Sequence, residues 1–240
     1  MSGHSKWATI KHKKAKEDAK RGQVFTKIIK EITVAAKQGG GDPNGNPRLR
    51  TLLEKAKEAN MPADNVTRAI KKGTGELPGV AYESYTYEGY GPGKIALIVE
   101  VLTDNKNRAI ADLRHFFSRH GGILAEGGAV NWMFERMGVI EANGNKQITE
   151  DKLLEKLLDY DVKDIYQDDD GIFTITCNPR ALDEVKKAVE EAGLKVTSAE
   201  TELVSSHQVK LTDGDEQKAY DFLSALQDLD DVQNVYTNLG

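Results

Sequence analysis

The chain has 240 residues, of which 39% are hydrophobic and 30% are charged, and its formal net charge is −5. This balance is typical of a folded globular protein and excludes a chain that is disordered throughout. No run of about 18 apolar residues is present, so no membrane-spanning helix is predicted. The single cysteine, Cys177, excludes an internal disulfide and a multi-cysteine metal site.

Charge is divided unevenly along the chain. Residues 1–76 hold 17 Lys and Arg against 8 Asp and Glu, whereas residues 77–240 hold 16 against 30. This asymmetry predicts a polyanionic partner for the basic part. The acidic part is then expected to face away from that polyanion or to bind another protein. The N-terminus lacks the apolar stretch of a secretory signal, so the predicted location is cytoplasmic.

The basic part is predicted to form an arm and a bundle of three helices. Residues 1–14 are polar and basic and predict a mobile arm. From residue 15 to 37, apolar side chains recur every three or four positions, which is typical of an amphipathic helix. Asn46 is the predicted cap of a second helix, and Gly73 the predicted end of a third. The three-residue break at 60–62 gives the second and third helices the spacing of a helix-turn-helix.

After a linker at residues 75–79, the apolar period changes from 3.6 to 2, which indicates strands. Asp104 is the predicted cap of the first helix beyond the linker, and a glycine-rich turn is predicted from Gly89. Strands are predicted near residues 82–87, 95–102, 130–134, 138–142, 161–166, 172–177, 195–202, 208–211 and 232–236. Helices are predicted near residues 106–120, 149–160, 180–192 and 215–226.

The predicted fold class is therefore α+β, with a helical bundle followed by two α/β domains. Residues 138–204 follow the order strand, helix, strand, strand, helix, strand, which is ferredoxin-like. We expect domains at residues 1–76, at 77–136 together with 205–240, and at 137–204 as an insertion.

The sequence predicts no catalytic site, because no nucleophile, base and oxyanion donor assemble in it. No cofactor or metal site is predicted either. His115 and His120 are spaced five apart and are interpreted as surface or capping residues. The run at 168–170 lacks the glycine and the distal glutamate of a calcium loop and is interpreted as a hairpin turn.

The basic arm and the bundle carry the predicted nucleic-acid site. Closely spaced cations suit phosphates, and an interleaved aromatic can stack on or insert between bases. Two cations in the first turn of the second helix oppose its macrodipole and so indicate a partner. The alternatives are a solvated tail and a generic bundle with a charged surface. The predicted contacts are Lys6, Trp7, Lys11, Lys13, Lys14, Lys16, Lys20, Arg21, Lys27, Arg48, Arg50, Asn65, Arg68, Lys71 and Lys72.

Long motifs resemble the YebC/PmpR family over nearly the whole chain. They include Gly3-His4-Ser5-Lys6-Trp7, Asn46-Pro47-Arg48-Leu49-Arg50, Asn60-Met61-Pro62 and Leu102-Thr103-Asp104-Asn105-Lys106-Asn107-Arg108. The sequence departs from the family pattern at Ala125 and Ala129. The resemblance implies a three-domain cytoplasmic protein that acts as a DNA-binding transcriptional regulator. It also implies a link to translation, since relatives include a mitochondrial translational activator and ribosome-associated factors that relieve stalling on proline runs.

Three functions remain open at this point. The helix-turn-helix spacing favours transcriptional control through DNA. The basic arm favours a ribosome-associated translation factor that binds structured RNA. The acidic domains favour docking to a protein partner.

Overall fold

A computed structural model describes residues 21–144, 148–168 and 171–240, and the arm predicted at residues 1–14 lies outside these ranges. The described chain divides into two compact units, which are residues 21–129 with 211–235 and residues 130–210 with 236–240. The first unit contains three helices followed by a four-stranded sheet with two more helices, and the second contains another four-stranded sheet. This confirms the predicted α+β class, while the domain bounds drawn from the sequence stay a prediction.

The first unit begins with three helices that share one apolar core. They are α1 (Arg21–Gly39), α2 (Pro47–Glu58) and α3 (Ala63–Thr74). Ile32, Leu49 and Ala69 contribute one buried side chain from each helix. The spacing of the apolar positions therefore places the core where the sequence predicts it.

The end of α3 differs from the prediction. Gly73 lies inside the helix, which ends at Thr74 and is capped by Gly75, whose φ of 83° is left-handed. A Cβ at position 73 would lie 2.4 Å from the carbonyl oxygen of Thr33, so the glycine serves the close approach of α3 to α1. Sequence alone does not separate a packing glycine from a terminating one.

Asn46 joins the end of α1 to the start of α2, and its predicted capping role is confirmed. Its Oδ1 accepts a hydrogen bond of 3.1 Å from the backbone N–H of Leu49. Its Nδ2 donates to the carbonyl oxygens of Ala35 and Gly40, both at 2.9 Å. The side chain is buried and joins backbone groups at two helix ends, and its bonds to Ala35 and Leu49 lie out of reach of water.

The first sheet has the strand order β3-β1-β2-β8. Its strands are β1 (Glu83–Tyr90), β2 (Ala96–Thr103), β3 (Ile123–Ala125) and β8 (Val232–Thr237), and its helices are α4 (Lys106–Arg119) and α7 (Asp213–Gln227). Phe116 and Phe117 of α4 meet Phe222 of α7 edge to face, with ring centroids 5.1 and 5.4 Å apart. These aromatic contacts hold both helices together in one core.

Three details of this unit correct the sequence interpretation. Gly89 lies inside β1 and does not open a turn. A Cβ at this position would lie 2.7 Å from the ring of Phe117, so the glycine is needed for packing. Asn105 caps α4 in place of Asp104. The short strand β3 was not predicted, since three residues give too few positions to show a period.

The second sheet has the order β5-β6-β4-β7, with every neighbouring pair antiparallel. Its strands are β4 (Phe134–Asn143), β5 (Val162–Gln167), β6 (Ile172–Cys177) and β7 (Lys195–Ser205), and its helices are α5 (Glu150–Lys156) and α6 (Leu182–Glu191). This is the predicted ferredoxin-like arrangement, inserted between β3 and β8 in the chain. Cys177 is buried, and burial and then Asp161 raise the pKa of its thiol to about 11.

Two predicted strands near the edges of this unit are wrong. The strand expected at residues 130–134 is a 3₁₀ turn at Asn131–Met133, after which β4 begins. The strand expected at residues 208–211 is reduced to one bridge between Val209 and Leu239. Within the described residues, no helix is long and apolar enough to cross a membrane.

Replacing Asn46 tests the junction of α1 and α2. We expect Asn46→Ala to lower the free energy of unfolding by about 2–4 kcal/mol, because it removes a helix cap and two hydrogen bonds to the end of α1. The matched control is Asn105→Ala, which removes an exposed cap alone and should cost about 1 kcal/mol. Urea titrations would measure both values, and equal losses would contradict the additional role of Asn46.

Candidate nucleic-acid interface

The predicted contact residues fall into three groups in the structure. One group lies outside the described part of the chain, namely Lys6, Trp7, Lys11, Lys13, Lys14, Lys16 and Lys20, and the side chain of Arg21 is not described either. A second group lies on α1, and the third lies on α2 and α3. The structure therefore describes the predicted contacts of the bundle but not those of the arm.

Lys27, a predicted phosphate contact, points instead to the carboxyl end of α7. Its Nζ donates a hydrogen bond to the carbonyl oxygen of Gln227, and one turn away Gln23 donates from Nε2 to the carbonyl oxygen of Asp228 at 3.2 Å. The last carbonyls of a helix lack partners within it and carry partial negative charge. Lys27 therefore caps α7, a role that the sequence does not reveal because the two residues are 200 positions apart.

Lys30 lies one turn further along α1 and is 7% exposed. Its Nζ forms a salt bridge of 2.6 Å with Asp231 and donates to the carbonyl oxygen of Asp230 at 2.9 Å. Asp231 also accepts hydrogen bonds of 2.9 Å from Thr103 and from Arg108. Burial raises the pKa of Asp231, but the hydrogen bonds from these three partners outweigh burial and hold that pKa below its ordinary value.

The outer surface of α3 presents a compact polar stripe. Asn65, Arg68 and Lys72 are spaced at three and four positions and so lie along one side of the helix, with Lys71 beside them. Arg68, Lys71 and Lys72 are exposed, and Asn65 is half-buried. We call these four residues the α3 stripe; the structure brings all four together.

The connection from α2 to α3 fixes the direction of the α3 stripe. Asn60 adopts a left-handed conformation with a φ of 55°, and the following Met61 is buried in the bundle core. The N–H of Met61 donates back to the carbonyl oxygen of Ala56 at 2.9 Å. A tight connection of this kind between two helices is typical of helix-turn-helix proteins.

The two arginines at the start of α2 differ in their contacts. Arg50 donates three hydrogen bonds of 3.3 Å to the carbonyl oxygens of Pro43 and Asn44, so it stabilises the loop before α2. Arg48 donates a single hydrogen bond of 3.2 Å to Gln38 and is otherwise exposed. Of the two, Arg48 is the better placed to meet a partner.

A cleft of about 900 Å³ lies between α1 and α4. Its lining includes Lys30, Arg108 and Arg119, opposed by Asp104, Asp112, Asp230 and Asp231, so its fixed charges nearly cancel. His115 and His120 also line it, and His120 stacks on Phe116 at 4.4 Å. The cleft is therefore a poor site for phosphate, and the described residues contain no group of three or more side chains that could hold a metal ion.

Comparison with known proteins finds relatives along nearly the whole chain. The model of the TACO1/YebC protein N-terminal domain matches residues 5–76, and that of the TACO1/YebC second and third domain matches residues 82–239. Probable transcriptional regulatory proteins of Chlorobaculum tepidum and Chlorobium phaeovibrioides are each 53% identical over 239 residues, which cover 100% of this chain and 95% of each relative. The crystal structure of a conserved hypothetical protein from Aquifex aeolicus matches with a TM-score of 0.83 and 45% identity, over 98% of this chain and 97% of that one.

Lys30→Met tests the salt bridge between α1 and Asp231. Removing this charged donor should lower the free energy of unfolding by about 1.5–3 kcal/mol at pH 7, since the partly buried Asp231 keeps its bonds from Thr103 and Arg108. The control is Lys218→Met, which breaks the exposed pair of Lys218 with Asp215 and should cost less than about 1 kcal/mol. Thermal unfolding would measure both, and a small loss for Lys30→Met would show that the buried pair adds little.

Acid should weaken the same salt bridge. A carboxyl whose pKa is lowered by folding contributes stability above its unfolded pKa of about 3.9, and this contribution is lost as the pH falls through the folded pKa. We expect Asp231→Asn to be less stable than the native chain at pH 7 and to lose less stability between pH 5 and pH 2. Parallel pH dependence of the two proteins in urea titrations would contradict this role for Asp231.

Charge reversal separates the two arginines of α2. Arg48→Glu should raise the free energy of unfolding by about 0.3–1 kcal/mol, because an anion suits the start of a helix, and should weaken nucleic-acid binding. Arg50→Glu should lower it, because the loop loses its donor. Thermal melts and anisotropy titrations would measure both effects, and unchanged affinity of Arg48→Glu would remove Arg48 from the interface.

Proposed function

Because the chain belongs to the TACO1/YebC family, we propose that it is a non-enzymatic regulator that binds nucleic acid, with duplex DNA as its target. The curated relatives at 53% identity are named probable transcriptional regulatory proteins, which supports a role in transcription. The proposed location is the cytoplasm.

The α3 stripe is the observation that carries the proposal. The twelve residues of α3 span about 18 Å, and the major groove, about 12 Å wide, admits one helix. In this arrangement Arg68, Lys71 and Lys72 contact phosphates or guanine edges, and Asn65 reaches an adenine edge. Arg48 adds a phosphate contact from the start of α2.

Fixed orientation supports this use of α3. The buried Met61 and the packing of Gly73 against α1 hold α3 on the bundle from both ends. A recognition helix needs such support, because its base contacts depend on a stable angle to the groove. The predicted arm cations would add sequence-independent attraction to phosphates.

One observation favours a second candidate, which is a translation factor that binds structured RNA on the ribosome. Seven predicted contacts, including six lysines, crowd into residues 6–20, and chains of this composition fold against RNA grooves by shape and charge. On this alternative the arm carries the binding and the α3 stripe is secondary.

Two variants separate the candidates. On the DNA proposal, Asn65→Ala/Arg68→Ala should abolish sequence preference, whereas deletion of residues 2–14 should weaken binding to all duplexes alike. On the RNA alternative, the deletion should remove co-sedimentation with ribosomes and the double change should have little effect. The assays are selection from random duplex DNA and sedimentation of cell extracts.

The control is Lys57→Ala, because Lys57 is exposed on α2 and outside the α3 stripe. It should leave both readouts unchanged. If no duplex is enriched from the random pool and ribosome binding depends on residues 2–14, the DNA proposal is wrong.

A further inference from the structure

A groove of about 270 Å³ lies in the second unit between α5 and β5. Leu154, Val162 and Ile165 supply its apolar lining, and Glu150 and Asp164 stand among its polar residues. The proposed nucleic-acid function makes no use of this groove.

The helix side of the groove exposes large apolar side chains. Leu154, on α5, is 48% exposed, and Leu158, in the turn that directly follows α5, is 70% exposed. Tyr166, which is 39% exposed, follows Ile165 on β5 and so lies on the opposite face of the sheet. Apolar surface therefore borders the edge strand on both faces, as a peptide-binding edge requires.

β5 is an edge strand of the second sheet, and the outward N–H groups are held by carboxylates. The N–H of Asp168 donates to the carbonyl oxygen of Ile172 in the hairpin, so by alternation Ile165 and Gln167 direct their backbone groups away from β6. Asp164 Oδ1 accepts from the N–H of Ile165 at 3.0 Å, and Glu150 Oε1 accepts from that of Gln167 at 2.6 Å. These oxygens take the places that carbonyl oxygens of an added strand would occupy.

Charge indicates the class of partner. The sequence from residue 150 to 168 contains seven Asp and Glu against three Lys. Two of these lysines are engaged elsewhere, since Lys163 pairs with Glu135 at 2.7 Å and Lys156 donates to the carbonyl oxygen of Ala192 at 3.3 Å. A second copy of the same edge would bring like charges together, whereas a cationic segment would be attracted.

We propose that this groove binds an extended segment of another protein, in which Lys or Arg alternates with apolar residues, as an added strand beside β5. The cations of the segment pair with Glu150 and Asp164 and draw both carboxylates from the edge. The N–H groups of Ile165 and Gln167 then donate to the carbonyl oxygens of the segment. Its apolar side chains, which strand alternation places on one face, pack on Leu154 on the helix side of the sheet.

The test uses the full-length protein labelled with ¹⁵N and a fluorescent eight-residue peptide in which lysine alternates with valine. We expect saturable binding by anisotropy and at least tenfold slower hydrogen exchange at the amides of Ile165 and Gln167. A peptide methylated on alternate backbone nitrogens keeps the same side chains and should lose at least tenfold in affinity, because it cannot pair as a strand.

Matched variants locate the site. Leu158→Asn should weaken binding at least tenfold, and Leu154→Asn should do the same. Ile123→Asn, which changes a side chain that is 67% exposed in the other unit, should bind as the native chain does. The exposure of all three side chains keeps the fold intact on replacement.

Several outcomes would overturn the proposal. One is that the lysine–valine peptide does not bind, or that the methylated peptide binds with equal affinity. Another is that Ile123→Asn loses as much peptide affinity as Leu154→Asn does. A third is that hydrogen exchange at the amides of Ile165 and Gln167 does not change on binding. A dimer in sedimentation equilibrium that Leu158→Asn dissociates would also overturn it, because the occupant would then be a second copy. None of these readouts depends on nucleic-acid binding, so failure here would leave the proposed function standing.

Discussion

One partly buried carboxylate, that of Asp231, determines how the bundle is attached to the first sheet. Lys30 reaches it from α1, Thr103 from the end of β2 and Arg108 from α4. Each partner comes from a different element, so the three elements meet at one point with little freedom to rotate. The attachment fixes α1, and α3 is in turn packed on α1 through Gly73. The orientation of α3 relative to the first sheet therefore depends on the ion pair between Lys30 and Asp231.

The same contacts change the interpretation of the basic charge. The net positive charge of residues 1–76 suggests one continuous surface for a polyanion. However, Lys27 and Lys30 bind groups within the protein, namely the end of α7 and Asp231. Arg50 likewise serves its own loop. Of the cations that stay exposed on the described bundle, Arg68, Lys71 and Lys72 lie together on α3, whereas Lys37, Arg48 and Lys57 are spread over α1 and α2. Under the proposed function, α3 therefore offers the densest group of phosphate contacts on the described bundle.

Local signals predicted much of this fold. The apolar period located the bundle core, Asn46 indicated a helix start, and the change of apolar period after the linker at residues 75–79 indicated the strands. Failures occurred where a distant residue decides the outcome. Gly73 looks like a helix terminator until α1 is placed against it, and Gly89 looks like a turn residue until Phe117 is present. The α3 stripe could be predicted from helical spacing, but the burial of Lys30 could not, because its partner is 201 positions away.

The position of Asp231 in the chain has a consequence for synthesis on the ribosome. Lys30 is made 201 residues before Asp231, and at roughly 5–20 residues per second this interval lasts about 10–40 s. During that time the bundle has its own core, but Lys27 and Lys30 lack the partners that the chain adds last, which are the carbonyl oxygens of Gln227 and Asp230 and the carboxylate of Asp231. β8, which completes the first sheet, follows only after Asp231. A nascent chain therefore carries a more basic bundle than the finished protein, and completing the chain reduces the positive charge it displays.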